Sequence, residues 1–133
     1  MQSRHVSVWI EESPAAVYAY AADPANLAHW AAGLAGGGLR RTAAGWIADS
    51  PMGEVIVEFA PDNEHGVLDH VVRLPSGEAV YNPMRVVPAG VEEPRCEVVF
   101  TVRQRAGMSD EQFDEDIAAV AADLDRLRAL IER

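Results

Sequence analysis

The sequence predicts an α+β fold, a curved antiparallel sheet of about six or seven strands wrapped around a long C-terminal helix, with two short helices after the first strand. Three observations predict it. An amphipathic stripe with a helix-start signal closes the chain over Ser109–Arg133. Short alternating apolar segments, punctuated by turn residues, fill Leu39 to Arg103. Everything upstream of the last helix reads as strand apart from one short helical region, so that helix must lie across a sheet.

In chain order, His5 to Glu11 alternates, with Val6, Val8 and Ile10 on one face, the pattern of a half-buried strand. Ser13-Pro14 supplies an N-cap and a proline at the first helical position, opening a short helix through AAVYAYAA. Asp23-Pro24 opens a second, with Leu27 and Trp30 on its buried face and Gly33 at its end. Gly36-Gly37-Gly38 then reads as a flexible connection, without the lysine and strand-to-helix context of a phosphate loop. LRRTA, GWIADS, EVIVEFA, VLDHVVRL, AVYNPMRVV and RCEVVFTVR follow with short turns between them, which favours an antiparallel meander. The last helix starts at a capping box, Ser109 with Gln112. Phe113, Ile117, Val120, Leu124, Leu127 and Ile131 draw its stripe, and acids crowd its first turns where the helix dipole favours them. A cylinder does not fill a twisted trough evenly, so this wrap is expected to trap a cavity.

Composition narrows the function classes. At 133 residues, with no repeat or linker, the chain is expected to form one domain over 1–133. A net charge of −10 repels phosphates and argues against a nucleic-acid partner. The single cysteine, Cys96, allows no intrachain disulfide, and neither a signal-peptide core nor an integral membrane segment is visible. The expectation is a cytoplasmic protein with Cys96 as a small buried hydrophobe.

The order of elements and two stretches, VSVWIEESPAAVYAYAADPANLAHW and GMSDEQFDEDIAAVAADLDRLRALIE, resemble the SRPBCC superfamily, which includes START lipid-binding domains, birch-allergen-like proteins and polyketide aromatase/cyclases. SPMGEVIVEFAPDNEHGVLDH and YNPMRVVP look like its small single-domain bacterial members. The resemblance implies a helix-grip fold with a hydrophobic pocket between long helix and sheet. It carries no catalytic residue position by position, because this scaffold hosts binders and enzymes alike.

Alternation places Val55, Val57 and Phe59 inward, then Leu68, His70, Val72 and Leu74, then Val80, Asn82, Met84 and Val86, then Val98, Phe100 and Val102. His70 and Asn82 are thus two polar side chains on an otherwise apolar surface. If the turn at Pro75–Ala79 sets Leu74 opposite Val80, Val72 faces Asn82 and His70 faces Met84, leaving His70 and Asn82 diagonal neighbours at about 7–8 Å. Pro83 removes a ladder donor in that strand and marks a bulge or an edge. Three readings of the pair stand open: a satisfied core pair, a ligand-orienting pair, or an acid/base catalyst. Asn63, Glu64, His65, Asp69 and His70 match no metal-ligand spacing, and turn residues account better for Asn63 to Gly66.

The function expected is binding of a small hydrophobic or aromatic molecule between sheet and helix, with no metal, no cofactor and no catalytic residue assigned. Phe59, Leu68, Val72, Met84, Phe100, Phe113, Ile117 and Val120 would form the apolar wall. His70 and Asn82 would orient the ligand, and Trp30 and Met52 would stand at the entrance. One alternative is a polyketide cyclase or aromatase-like enzyme. Another is an interaction module with a filled core, acting through an outer surface or as a homodimer.

Overall fold

A computed structural model describes residues 1–31 and 39–133. The Gly33 helix end and the Gly36-Gly37-Gly38 connection lie outside the described residues. The elements run β1 (Ser3–Ile10), α1 (Pro14–Ala21), a 3₁₀ turn (Pro24–Asn26), α2 (Leu27–Trp30), β2 (Leu39–Thr42), β3 (Gly45–Ser50), β4 (Gly53–Phe59), β5 (His70–Arg73), β6 (Ala79–Asn82), β7 (Met84–Pro88), β8 (Cys96–Arg103) and α3 (Asp110–Glu132). The start signals act locally as their chemistry requires. Ser13 Oγ accepts the Ala16 N–H, Asp23 Oδ1 accepts the Ala25 N–H, and Ser109 and Gln112 exchange both bonds of the capping box.

Among the described residues all strand pairs are antiparallel, in two sheets ordered β1-β8-β7 and β2-β3-β4-β5-β6. Pro83 explains why the segment AVYNPMRVV is two strands and belongs to both. It has no N–H to continue the ladder, and at this point the chain leaves β6 and joins β8 as β7. The Pro83 carbonyl accepts the Thr101 N–H at 2.9 Å, and Leu68 donates its N–H to the Met84 carbonyl at 2.8 Å, so the corner stays hydrogen-bonded. Gly66 stands where β7 passes the β4–β5 connection. Its φ is +72°, and a Cβ there would meet the Val86 carbonyl oxygen at 2.4 Å, so only glycine fits.

The β5–β6 register differs from the sequence expectation by two residues. Val72 pairs with Val80 and His70 pairs directly with Asn82, whereas Met84 pairs with Phe100 in the other sheet. The cause is a tighter turn. Leu74 donates to the Glu78 carbonyl, and Gly77 at φ +91° closes a three-residue loop. A slip of two preserves the faces, which is why His70 and Asn82 still point the same way.

The core forms where the alternating faces meet α3. Ile10, Val17, Val55, Val57, Val98 and Leu127 are fully buried, with Phe113 and Leu124 nearly so. Helix α3 beds on β1 and β8 and touches α1 and α2, leaving the inner face of β5–β6 standing away from it. No helix among the described residues is long and apolar enough to cross a membrane.

Candidate ligand cavity

A cavity of about 450 Å³ lies between β5–β6, β8 and one flank of α3. His70, Val72, Val80 and Asn82 line it from β5–β6, Phe100 and Val102 from β8, and Ala119, Val120 and Leu124 from the helix. Leu27 and Trp30 of α2 close one side, and Met52, half-exposed in the β3–β4 turn, stands at the rim. Charged residues gather at the other rim, where Arg105 reaches Glu78 at 2.9 Å and ties the β8–α3 loop to the β5–β6 hairpin.

Of the residues expected in the wall, Val72, Phe100 and Val120 line this cavity, as do His70, Asn82, Trp30 and Met52. Phe59, Leu68, Met84, Phe113 and Ile117 lie outside its lining. Met84 and Phe113 are sealed in the core at 1% and 2% exposure, and Phe59 stands behind the His70 ring at 6.4 Å. The helix explains the rest. Phe113 and Ile117 sit on the stripe, whereas the cavity also meets Asp116, Asp123 and Ala119, roughly 60–120° around from the stripe's centre at 100° per residue. The two acids were not legible as lining residues, because acids on an amphipathic helix carry the ordinary signature of a solvated face. Partial burial there pushes the Asp116 carboxyl up, and it pushes up Asp123 too, against the pull of its Arg126 partner.

His70 is 8% exposed, and its ring lies edge-on to Phe100 at 5.7 Å. Its Nδ1 lies 3.1 Å from the Leu68 carbonyl, an acceptor, so Nδ1 carries the proton and Nε2 is left with a bare lone pair. Burial holds the imidazole below its ordinary pKa, outweighing the Leu68 hydrogen bond and the nearby Asp69 charge, and keeps it neutral at pH 7. The Asn82 amide nitrogen faces the carbonyls of Val80, at 3.2 Å, and His70, at 3.5 Å. Two carbonyl partners fix that end as the NH₂, so Oδ1 is the free end.

Asp69 points to the other face. It accepts hydrogen bonds from both Nε and NH2 of Arg85, from the Tyr81 hydroxyl at 2.6 Å and from the Met84 N–H at 2.9 Å. The Arg85 guanidinium, with Tyr81 and Met84, holds this carboxyl far below the usual carboxylate range, although burial opposes it. Alternation puts Asp69, Tyr81 and Arg85 on that outer face, but nothing in the sequence marks them as a cluster. Asn63, from the same polar stretch, clamps its own loop, with its amide bonded to the backbone of Pro61, His65 and Val67. The Tyr18 hydroxyl accepts the Asn63 N–H from α1.

In sequence the chain matches no family model and no curated protein. In structure it is similar to the protein XoxI from Bacillus cereus, with TM-score 0.75 at 16% identity over 98% of this chain and 96% of that one. The Zhui aromatase/cyclase from Streptomyces superposes with TM-score 0.70 at 17% identity, covering 99% of this chain and 95% of its own. A truncated norcoclaurine synthase from Thalictrum flavum gives 0.63 at 16%, covering 98% and 92%. The shared architecture is the helix-grip fold, curved antiparallel strands closed by a long C-terminal helix.

Proposed function

We propose that this chain is a small single-domain member of the SRPBCC superfamily that binds one small hydrophobic or aromatic molecule in the cavity between sheet and helix. The observation that carries this reading is the cavity itself. Its volume of about 450 Å³ falls in the range of small-molecule sites, and its inner walls are mostly apolar around buried His70 and half-buried Asn82, with charged side chains at the rim. A filled core would have favoured an interaction module.

The aromatase/cyclase and norcoclaurine synthase among the structural neighbours support a second reading, an enzyme acting on an aromatic or polyketide substrate in the same cavity. His70 Nε2 would be its proton acceptor. The depressed basicity of His70 and the turning-away of Asp69 weigh against it. Binding is therefore the reading we favour.

The test uses Ala119, an exposed helix residue lining the cavity, as the site of a plug. The fluorescent probe N-phenyl-naphthylamine is expected to bind the wild type one to one, and Ala119→Trp to abolish binding with the fold intact by circular dichroism. Equal binding to both proteins would place the probe elsewhere and sink the reading.

A further inference from the structure

The polar end of the cavity presents acceptors and withholds donors. At His70 the proton faces the Leu68 carbonyl, so Nε2 offers a lone pair. At Asn82, directly across the strand pair, the NH₂ faces backbone carbonyls, so Oδ1 offers another. His70 is more than nine-tenths buried, and among the described residues neither acceptor atom has a hydrogen-bond partner. The donors of Tyr81, Trp30 and Arg105 are not offered to these two acceptors. The Tyr81 hydroxyl donates to Asp69 on the outer face. The Trp30 indole N–H is sealed from accessible space and has no acceptor among the described residues. Arg105 is engaged by Glu78 at the rim.

The geometry points to a ligand that buries a hydrogen-bond donor, a phenolic or enolic hydroxyl on an apolar ring, between His70 Nε2 and Asn82 Oδ1. A ketone or ether at this end would set its own lone pairs against two others with no proton between them, leaving three acceptors unmatched. An unsubstituted ring would fill the apolar walls and leave both acceptors bare. A hydroxyl satisfies one outright and shares its proton with the second. The inference rests on the cavity-binding reading above and narrows it to one ligand chemistry.

Three probes of one shape separate the two claims: naphthalene, β-naphthol and the methyl ether of β-naphthol, titrated into the full chain and followed by calorimetry. Naphthalene reports on the apolar cavity alone. β-Naphthol is expected to bind about tenfold tighter than either of the others, the factor expected of about one buried hydrogen bond. In His70→Phe that preference should collapse to less than about twofold while naphthalene still binds. Should the histidine variant fail to fold, Asn82→Leu provides the same comparison, with a partial loss expected. If wild-type naphthol and ether bind within twofold of each other while naphthalene binds, the donor inference is overturned and the cavity reading survives. If naphthalene does not bind at all, both fall.

Discussion

Asp69 and His70 are neighbours in the chain and opposites in circumstance. Both are buried polar residues beside the corner where the two sheets join, at 6% and 8% exposure. On the outer face Asp69 is saturated, with four hydrogen bonds from three residues and a guanidinium partner. On the inner face the His70 side chain has one bond among the described residues, to a carbonyl two residues away, and lines the cavity. A saturated polar cluster stabilises the fold, whereas an unsaturated one beside a cavity awaits a partner. Burial alone would have ranked the two alike. The count of unused lone pairs tells them apart.

The sharpest way to break this contrast is to remove each residue and measure stability and binding together. Asp69→Ala should lose about 2–4 kcal/mol by urea denaturation, mainly from the orphaned Met84 N–H and the lost Tyr81 and Arg85 bonds. The Arg85 share is discounted, because its guanidinium stays half in water. Naphthalene binding by the folded fraction should be unchanged. A large binding loss in this variant would erase the distinction between the faces.

Acid titration sharpens the same contrast. The folded carboxyl of Asp69 is held below its unfolded value, so its contribution is complete above about pH 4 and is lost as pH falls through the folded value. Asp69→Asn should start lower in stability and decline less steeply between pH 4 and pH 2 (about two pH units of acid denaturation) than the wild type. Parallel curves would show that Asp69 does not carry the acid sensitivity.

The smallest effect belongs to His70. His70→Phe should cost no more than about 1.5 kcal/mol, since it removes one hydrogen bond and adds apolar contact with Phe59 and Phe100. Its pH arm runs in the same sense as that of Asp69, at a higher pH. The folded imidazole resists protonation, so wild-type stability is full above about pH 6.5 and falls as the unfolded state takes up a proton below it. The phenylalanine variant should lack that neutral-range decline. A loss in this variant as large as in Asp69→Ala would mean that His70 too is part of the structural frame.

Periodicity made much of this legible in the sequence. A two-residue period put His70 and Asn82 inward together, and that survived a register error of two because such a slip keeps every side chain on its face. The long helix, its capping box and its buried Phe113, Leu124 and Leu127 follow from spacing and local hydrogen bonding alone. Tertiary structure decided the rest. Which residue of β5 faces which of β6 was set by the loop at Gly77, and the sheet corner at Pro83 by contacts with β8. The pairing of Asp69 with Arg85 needed the chain to turn that corner. The cavity opened on the flank of α3 bearing Asp116 and Ala119, beside the stripe that beds on β1 and β8. The physical reason is range. Side-chain alternation and helix caps act within a few residues, whereas register, corners and voids depend on groups far apart in the chain, whose distances only packing fixes.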